Sequence, residues 1–259
     1  MSKTALITGA SSGIGYELAK CFARDGVNLV LVARDETRLG QVAAELRSTS
    51  VSVRVVPADL ARAVAPSEIL DATRAANIDV DYLVNNAGFG SCGPFADSDL
   101  RADLDMLQVN MVALVHLTRL YLPGMRQRGS GGVLNVASTA AFQPGPLMAI
   151  YYASKAFVLS LTEAIAEELR DTGVTATALC PGPTATDFQR RAKIEHIRLM
   201  KSKLVMMTAR QVAEIGYLAF LEGKVIVIPG LLNKIGAQSV RISPRSMVRK
   251  ITRRLQEGS

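Results

Sequence analysis

The chain of 259 residues carries 49% apolar and 20% charged side chains, a composition that suits one globular domain with a full core and excludes a disordered or fibrous chain. With no Trp and only 5% aromatic residues, it lacks a base-stacking platform for nucleic acid. The formal charge of +7 sits mostly at one end, where Lys234, Arg241, Arg245, Arg249, Lys250, Arg253 and Arg254 are opposed by Glu257 alone.

Seven short β-type runs are predicted at Ala5–Thr8, Leu29–Ala33, Val53–Pro57, Tyr82–Asn85, Val133–Ala137, Thr175–Cys180 and Val225–Ile228. Several are apolar throughout, as strands covered on both faces would be. Between them fall helical stretches at about 13–25, 35–48, 66–76, 98–128, 150–171 and 208–221. Gly26, Gly129–Gly132 and Gly173 punctuate helix ends, and Thr208 with Gln211 forms a capping box. Strands separated by helices predict an α/β fold: a doubly wound, parallel, seven-stranded sheet with helices on both faces, in a single domain spanning 1–259. No run is long and apolar enough for a membrane span, and no charged and apolar leader pattern opens the chain. Cys21, Cys92 and Cys180 match no metal or redox spacing, which suggests reduced thiols in a cytoplasmic protein. His116 and His196 lie near no second ligand of metal-binding spacing, so no metal is assigned.

Two patterns carry chemistry. Directly after the first strand, Thr8-Gly9-Ala10-Ser11-Ser12-Gly13-Ile14-Gly15 combines a glycine-rich turn with a helix start. Such a turn lets the backbone approach a pyrophosphate while the helix offers unpaired N–H groups to it. Further on, Tyr151 and Lys155 are spaced to share one helix face, with Ser138 upstream. A phenol ordinarily ionises near pH ~10, and reaching about 7 requires roughly 4 kcal/mol. An ammonium about 5 Å away supplies roughly 3 kcal/mol at an effective dielectric near 20. The sequence therefore predicts a phenol acidified mostly by its lysine neighbour, with a cationic cofactor nearby supplying the remainder. A second Tyr-x-x-x-Lys, Tyr16 with Lys20, has no upstream serine and reads as structural.

Taken in order, Thr8–Gly15, Asn85-Asn86-Ala87-Gly88, Ser138, Tyr151-Tyr152-Ala153-Ser154-Lys155 and Pro181-Gly182 resemble the classical short-chain dehydrogenases/reductases, over roughly residues 4–190. The resemblance implies a Rossmann-like fold and a catalytic set of Asn110, Ser138, Tyr151 and Lys155. In that set Tyr151 exchanges a proton with the substrate oxygen, Lys155 lowers the phenol pKa and holds the nicotinamide ribose, Ser138 supports the alkoxide, and Asn110 positions a water. It also implies cofactor contacts by Gly9, Ser11, Ser12, Gly13, Ile14 and Gly15 at the pyrophosphate, by Asp59 and Leu60 at the adenine, and by Asn86, Ala87 and Gly88 at the adenosine ribose. Pro181, Gly182, Thr184 and Thr186 fall around the nicotinamide.

Cofactor choice turns on the end of the second strand. Ala33 stands where NAD-preferring members carry Asp, and Arg34 follows it at the start of a helix, an unfavourable end of the dipole for a cation. A guanidinium there suits a 2′-phosphate, which predicts NADPH/NADP+ over NADH, although Ser12 stands where many NADP-type members carry a second basic residue.

The expected reaction is NADPH-dependent reduction of a ketone or aldehyde. The oxidative alcohol dehydrogenase and a non-catalytic NADPH sensor or scaffold stay open as alternatives. An apolar lid is predicted at about 184–207, with a plain packed helix pair as its alternative. Together with Phe142–Leu147 it hints at a small hydrophobic carbonyl or alcohol substrate, and Phe89, Cys92, Phe95 and Tyr152 are candidate walls. The basic, loosely amphipathic tail at about 233–259 suggests peripheral membrane contact. The resemblance implies a homodimer or homotetramer paired through helices at about 98–128 and 150–171.

Overall fold

The computed structural model describes residues 2–47, 51–192, 194, 197 and 205–257. Seven parallel strands form one sheet in the order β3-β2-β1-β4-β5-β6-β9. They are β1 (Thr4–Thr8), β2 (Asn28–Ala33), β3 (Val53–Pro57), β4 (Tyr82–Asn85), β5 (Gly131–Val136), β6 (Val174–Leu179) and β9 (Ile226–Val227). The chain runs outward from β1 through β2 to β3 and then returns to β4, so β1 and β4 are neighbours running in parallel and a crevice opens beyond their carboxyl ends.

Both faces of the sheet are buried, which explains the unbroken apolar runs. In β2, Leu29 and Leu31 face one core with Ala5 and Ile7 of β1, while Val30 and Val32 face the other with Leu6. The first core is closed by α1 (Gly13–Arg24), α2 (Glu36–Leu46) and α8 (Ala209–Leu221), through Leu18, Leu39 and Phe220 among others. Phe22 lies at its centre, with the Tyr217 ring edge-on at 4.8 Å. The second core is closed mainly by α3 (Ala65–Ala75), α5 (Ala113–Arg128) and the end of α6 (Ala149–Glu168), through Ile69, Leu117 and Ile165.

Local signals account for the boundaries. Asp35 caps α2 by accepting the Arg38 N–H at 2.9 Å. The capping box of Thr208 and Gln211 opens α8, and Gly129 ends α5 in the left-handed region at φ 63°. The helix predicted over 98–128 is instead α4 (Leu100–Leu107), a π-helical segment at Gln108–Val112, and α5. A π turn displaces side chains from the regular 3.6-residue register, and here it sends Asn110 inward.

The end of the chain departs most from expectation. The supposed tail forms two helices, α9 (Leu231–Ile242) and α10 (Arg245–Gln256), separated at Ser243–Pro244. On α10, Val248, Thr252 and Gln256 are buried. The segment predicted as a lid is tied at its base by a two-stranded parallel sheet of β7 (Thr184–Ala185) and β8 (Met207–Thr208), and contains the short helix α7 (Phe188–Arg191). Leu199, Met200, Leu204 and His196 lie outside the described residues.

Candidate active site

A cavity of about 420 Å³ opens at the carboxyl ends of the strands, within the range of small-molecule sites. Its wall contains Gly9, Ser11, Ser12, Gly13, Ile14, Arg34, Asp59, Leu60, Asn86, Ala87, Gly88, Ser138, Tyr151, Lys155, Pro181, Gly182, Thr184 and Thr186. Two residues from the sequence reading, Gly15 and Asn110, stand one layer behind that wall.

Gly15 is a packing glycine. A Cβ there would fall 2.4 Å from the Gly9 carbonyl oxygen and 2.3 Å from Asn86 Nδ2. That crowding comes from a lock between two turns. Thr8 Oγ1 accepts the backbone N–H groups of Asn86 and Ala87, both at 3.0 Å, while Asn86 Nδ2 donates to the carbonyls of Thr8 and Gly9. The amide nitrogen of Asn86 therefore fixes the glycine turn. Its partner Asn85 points into the helix layer, where its Nδ2 donates to Thr118 Oγ1 and Asn135 Oδ1.

Asn110 is 1% exposed. Its Nδ2 donates to the Phe89 carbonyl and to Ser154 Oγ, both at 3.0 Å, and its Oδ1 accepts the Phe89 N–H. The side chain thus pins the loop after β4 to α6, the helix that carries Tyr151 and Lys155. All of its amide bonds are internal, which is why it does not face the cavity.

Ser138 follows β5 and caps the 3₁₀ turn Thr139–Phe142. Its hydroxyl accepts the Ala140 N–H at 3.1 Å and donates to the Pro181 carbonyl at 3.3 Å. Tyr151 and Lys155, one turn apart on α6, both reach the cavity, with Lys155 Nζ 5.8 Å from the centre of the Tyr151 ring. Phe188 of α7 packs against that ring at 5.3 Å.

The electrostatics differ from the sequence expectation. Burial pushes the Tyr151 phenol up to about 12, with its hydrogen bond to Ser138 pulling it back. Burial also lowers the Lys155 ammonium to about 8, against a small opposing effect of Cys180. Desolvation disfavours both charged forms. The lysine is 5% exposed, and its Nζ is directed to the Val136 carbonyl at 2.8 Å. The spacing correctly brings the two groups to one face, but spacing says nothing of how dry that face is.

This displacement has a measurable sign. Between about 8 and the ordinary 10.5, the unfolded lysine holds a proton that the folded one has released. The stability tied to the neutral amine is complete above the upper value and is lost as pH falls through the lower one. The stability difference between wild type and Lys155→Met, from urea titrations, is therefore expected to grow in favour of wild type from pH 8 to 10.5. A pH-independent difference would contradict a buried amine.

The second pair, Tyr16 and Lys20, has similar internal geometry, with Nζ 5.0 Å from the ring centre. It lies on α1 outside the cavity wall, where the Tyr16 hydroxyl donates to Glu45 at 2.6 Å and Lys20 pairs with Glu17.

Two contributors had no sequence signal. Asn233 of α9 donates to the carbonyls of Val205 and Pro229 and backs Gly182, where a Cβ would meet it at 2.4 Å. Gln256, the last residue of α10, enters the cavity wall and hydrogen-bonds Tyr152.

The sequence pattern described by the short chain dehydrogenase family matches residues 3–196. The chain belongs to the short chain dehydrogenase family. Its relatives include the D-beta-hydroxybutyrate dehydrogenase of Cupriavidus necator, 33% identical over 217 residues that cover 81% of this chain and 83% of that one. Among solved structures, a short-chain dehydrogenase from Sphingobium yanoikuyae in complex with NADPH superposes with a TM-score of 0.81 at 33% identity, covering 94% of this chain and 96% of that one. The bulky-bulky ketone specific alcohol dehydrogenase from Comamonas testosteroni gives 0.77 at 31% identity, with 94% and 95% covered. As a short chain dehydrogenase this protein is an oxidoreductase of carbonyl and alcohol groups. The family match ends at residue 196, so α8, α9 and α10 lie beyond it.

Proposed function

We propose that this short chain dehydrogenase reduces a hydrophobic ketone or aldehyde to its alcohol with NADPH, Tyr151 giving the proton. The observation that carries this reading is the meeting of Tyr151, Ser138 and Lys155 on the wall of one cavity.

The cleft fits a dinucleotide phosphate. Ser12 makes no side-chain cap on α1, which leaves the helix's first N–H groups for an anion. A Cβ at Gly9 would strike Asn86 and Ala87, so only glycine keeps the turn close to the cavity wall. Asp59 and Leu60 stand beyond β3 for an adenine, and Pro181, Gly182, Thr184 and Thr186 stand at the opposite end for a nicotinamide ring. Bound there, the cofactor supplies hydride to the carbonyl carbon. Tyr151 passes its phenolic proton to the carbonyl oxygen, Ser138 donates a hydrogen bond to that oxygen as charge develops, and Lys155 holds the ribose side and steadies the phenolate left behind.

Family membership leaves NADPH and NADH open; Arg34 and Ala33 favour NADPH. Arg34 is exposed, lines the cavity and has no ion pair among the described residues. Arg38, by contrast, is held by Asp187 at 3.4 Å. The NADPH complex of the Sphingobium yanoikuyae protein and the ketone specificity of the Comamonas testosteroni enzyme support this assignment. So do the apolar Met148, Phe188, Ile194 and Ile197 around the substrate end. Consumption of NADPH with a bulky ketone, and recovery of its alcohol, tests the reading; a protein that binds NADPH yet forms no alcohol would refute it.

Three further assignments belong to this reading. The free thiols Cys21, Cys92 and Cys180 suit the reducing cytoplasm. Exposed Leu104 on α4, Val112 in the π-helical segment and Phe157 on α6 suit pairing of copies into a dimer or tetramer. Exposed Leu231, Ile235, Ile242, Met247 and Ile251 on α9 and α10, flanked by Arg245, Arg249 and Lys250, suit an anionic lipid surface. Among the described residues no helix is long and apolar enough to cross a membrane, so that contact is peripheral. Sedimentation with phosphatidylserine vesicles should fall as salt is raised and be lost in Ile242→Ser/Ile251→Ser. Equal binding to neutral vesicles, or none to either, would remove the lipid assignment.

A further inference from the structure

One ion pair joins two parts of the fold that start far apart. Arg38 lies in the first turn of α2, which follows β2, and Asp187 stands just before α7, in the strap that follows β6. In the sheet, β1, β4 and β5 lie between β2 and β6. Four strand spacings, roughly 19 Å, therefore separate the two bases. Yet Arg38 Nη1 meets Asp187 Oδ2 at 3.4 Å. The two arms reach toward each other over the carboxyl ends of the strands, where the cavity opens.

Each arm borders one end of that cavity. Arg34 and Asp35, at the start of α2, line it on one side, and Thr184, Thr186 and Phe188 line it on the other. The strap is braced from within. Gln189 Oε1 accepts the Thr186 N–H at 3.1 Å, and Thr186 Oγ1 accepts the Phe188 N–H at 3.3 Å. It also lies close against the site: a Cβ on Gly13 would fall 3.2 Å from Thr186 Cγ2, and Phe188 packs on the Tyr151 ring at 5.3 Å. The side chains of the pair are 46% and 32% exposed. Such a pair adds little to the stability of the fold, but here it ties the adenosine-end arm to the nicotinamide-end arm.

We propose that Asp187 is a positioning residue: with Arg38 it fastens the strap over the cofactor cleft and so slows the release of a nicotinamide dinucleotide. The proposal rests on the dinucleotide reading of the cleft, and not on the choice between NADPH and NADH or on the direction of the reaction. Breaking the pair frees the strap to lift as one piece from the glycine turn and from Tyr151. For an ion pair this exposed, release should quicken by about two- to fivefold.

Two variants separate a latch from a simple charge effect. Arg38→Gln removes a cation beside an anionic cofactor, and Asp187→Asn removes an anion. By charge alone the first speeds NADPH release and the second slows it. A latch makes both faster. Full-length protein loaded with NADPH, or separately with NADH, is mixed in a stopped-flow instrument with excess oxidised cofactor, and the loss of bound-nicotinamide fluorescence gives the release rate. Both variants should release both cofactors about two- to fivefold faster than wild type at low salt, and the gap should close as KCl is raised. With NADH, the double variant should be no faster than either single one. Arg190→Gln, which removes only the local pair with Asp187 at 3.3 Å, should match wild type. Release from Asp187→Asn at the wild-type rate or slower, or equal acceleration by Arg190→Gln, would overturn the latch alone. A wild type that binds neither cofactor would overturn the dinucleotide reading and the latch with it.

Discussion

Tyr151→Phe is expected to lower kcat for ketone reduction by about 10²- to 10⁴-fold, the range typical of a lost general acid, and to leave NADPH affinity nearly unchanged. The substitution removes one hydroxyl and keeps the ring, so the contacts with Phe188 at 5.3 Å and Tyr152 at 6.1 Å persist. The effect should fall on kcat and kcat/KM together, because the proton moves only in the transition state. Wild-type reduction should hold steady across neutral pH, since the phenol keeps its proton there. Alcohol oxidation should instead rise with pH toward the phenol's ionisation. A variant with near-wild-type kcat would remove Tyr151 from the chemistry.

Arg34→Glu should invert cofactor choice. A charge-assisted hydrogen bond to a 2′-phosphate contributes about 1.5–3 kcal/mol, so losing it should lower the NADPH:NADH ratio of kcat/KM by about 10- to 100-fold. The new carboxylate adds repulsion of the phosphate and an acceptor for the ribose 2′-OH of NADH. Arg34 is exposed and has no ion pair among the described residues, so the fold should tolerate the change, as thermal unfolding would report. An unchanged ratio would mean that another group reads the phosphate.

Much of the fold was legible because its signals are local. The sheet of parallel strands follows from unbroken apolar runs such as Leu29–Val32, which bury alternate residues in opposite cores. Helix α2 follows from Asp35, whose side chain caps it. Most of the cavity wall was legible for a different reason: an ordered set of short motifs, each at the carboxyl end of a strand, is brought together by the topology itself.

What stayed hidden depends on contacts between distant residues. Asn86 locks onto Thr8 across 78 positions, so its amide holds the turn. Gln256 meets Tyr152 across 104 positions. On α10 the apolar stripe actively misleads, because Met247, Ile251 and Leu255 are exposed while the mixed stripe of Val248, Thr252 and Gln256 is buried. A reading based on hydrophobicity finds the exposed face and misses the buried one. The π-helical segment around Asn110 carries no Gly or Pro to announce it. The Tyr151–Lys155 pair shows the same limit in energy: i,i+4 spacing gives proximity, but the shift of each group is set by burial, which only the packed site reveals.

On the proposed reading, this protein moves hydride from NADPH to a carbonyl carbon while Tyr151 protonates the oxygen. Its most direct test incubates the protein with NADPH carrying deuterium at the transferable C4 position and a bulky ketone, followed by mass spectrometry of the product. The expected product is an alcohol with a single deuterium on the carbinol carbon, formed by wild type and not detectably by Tyr151→Phe in the same time. Bound but unconsumed NADPH, or an alcohol without deuterium at that carbon, would contradict it.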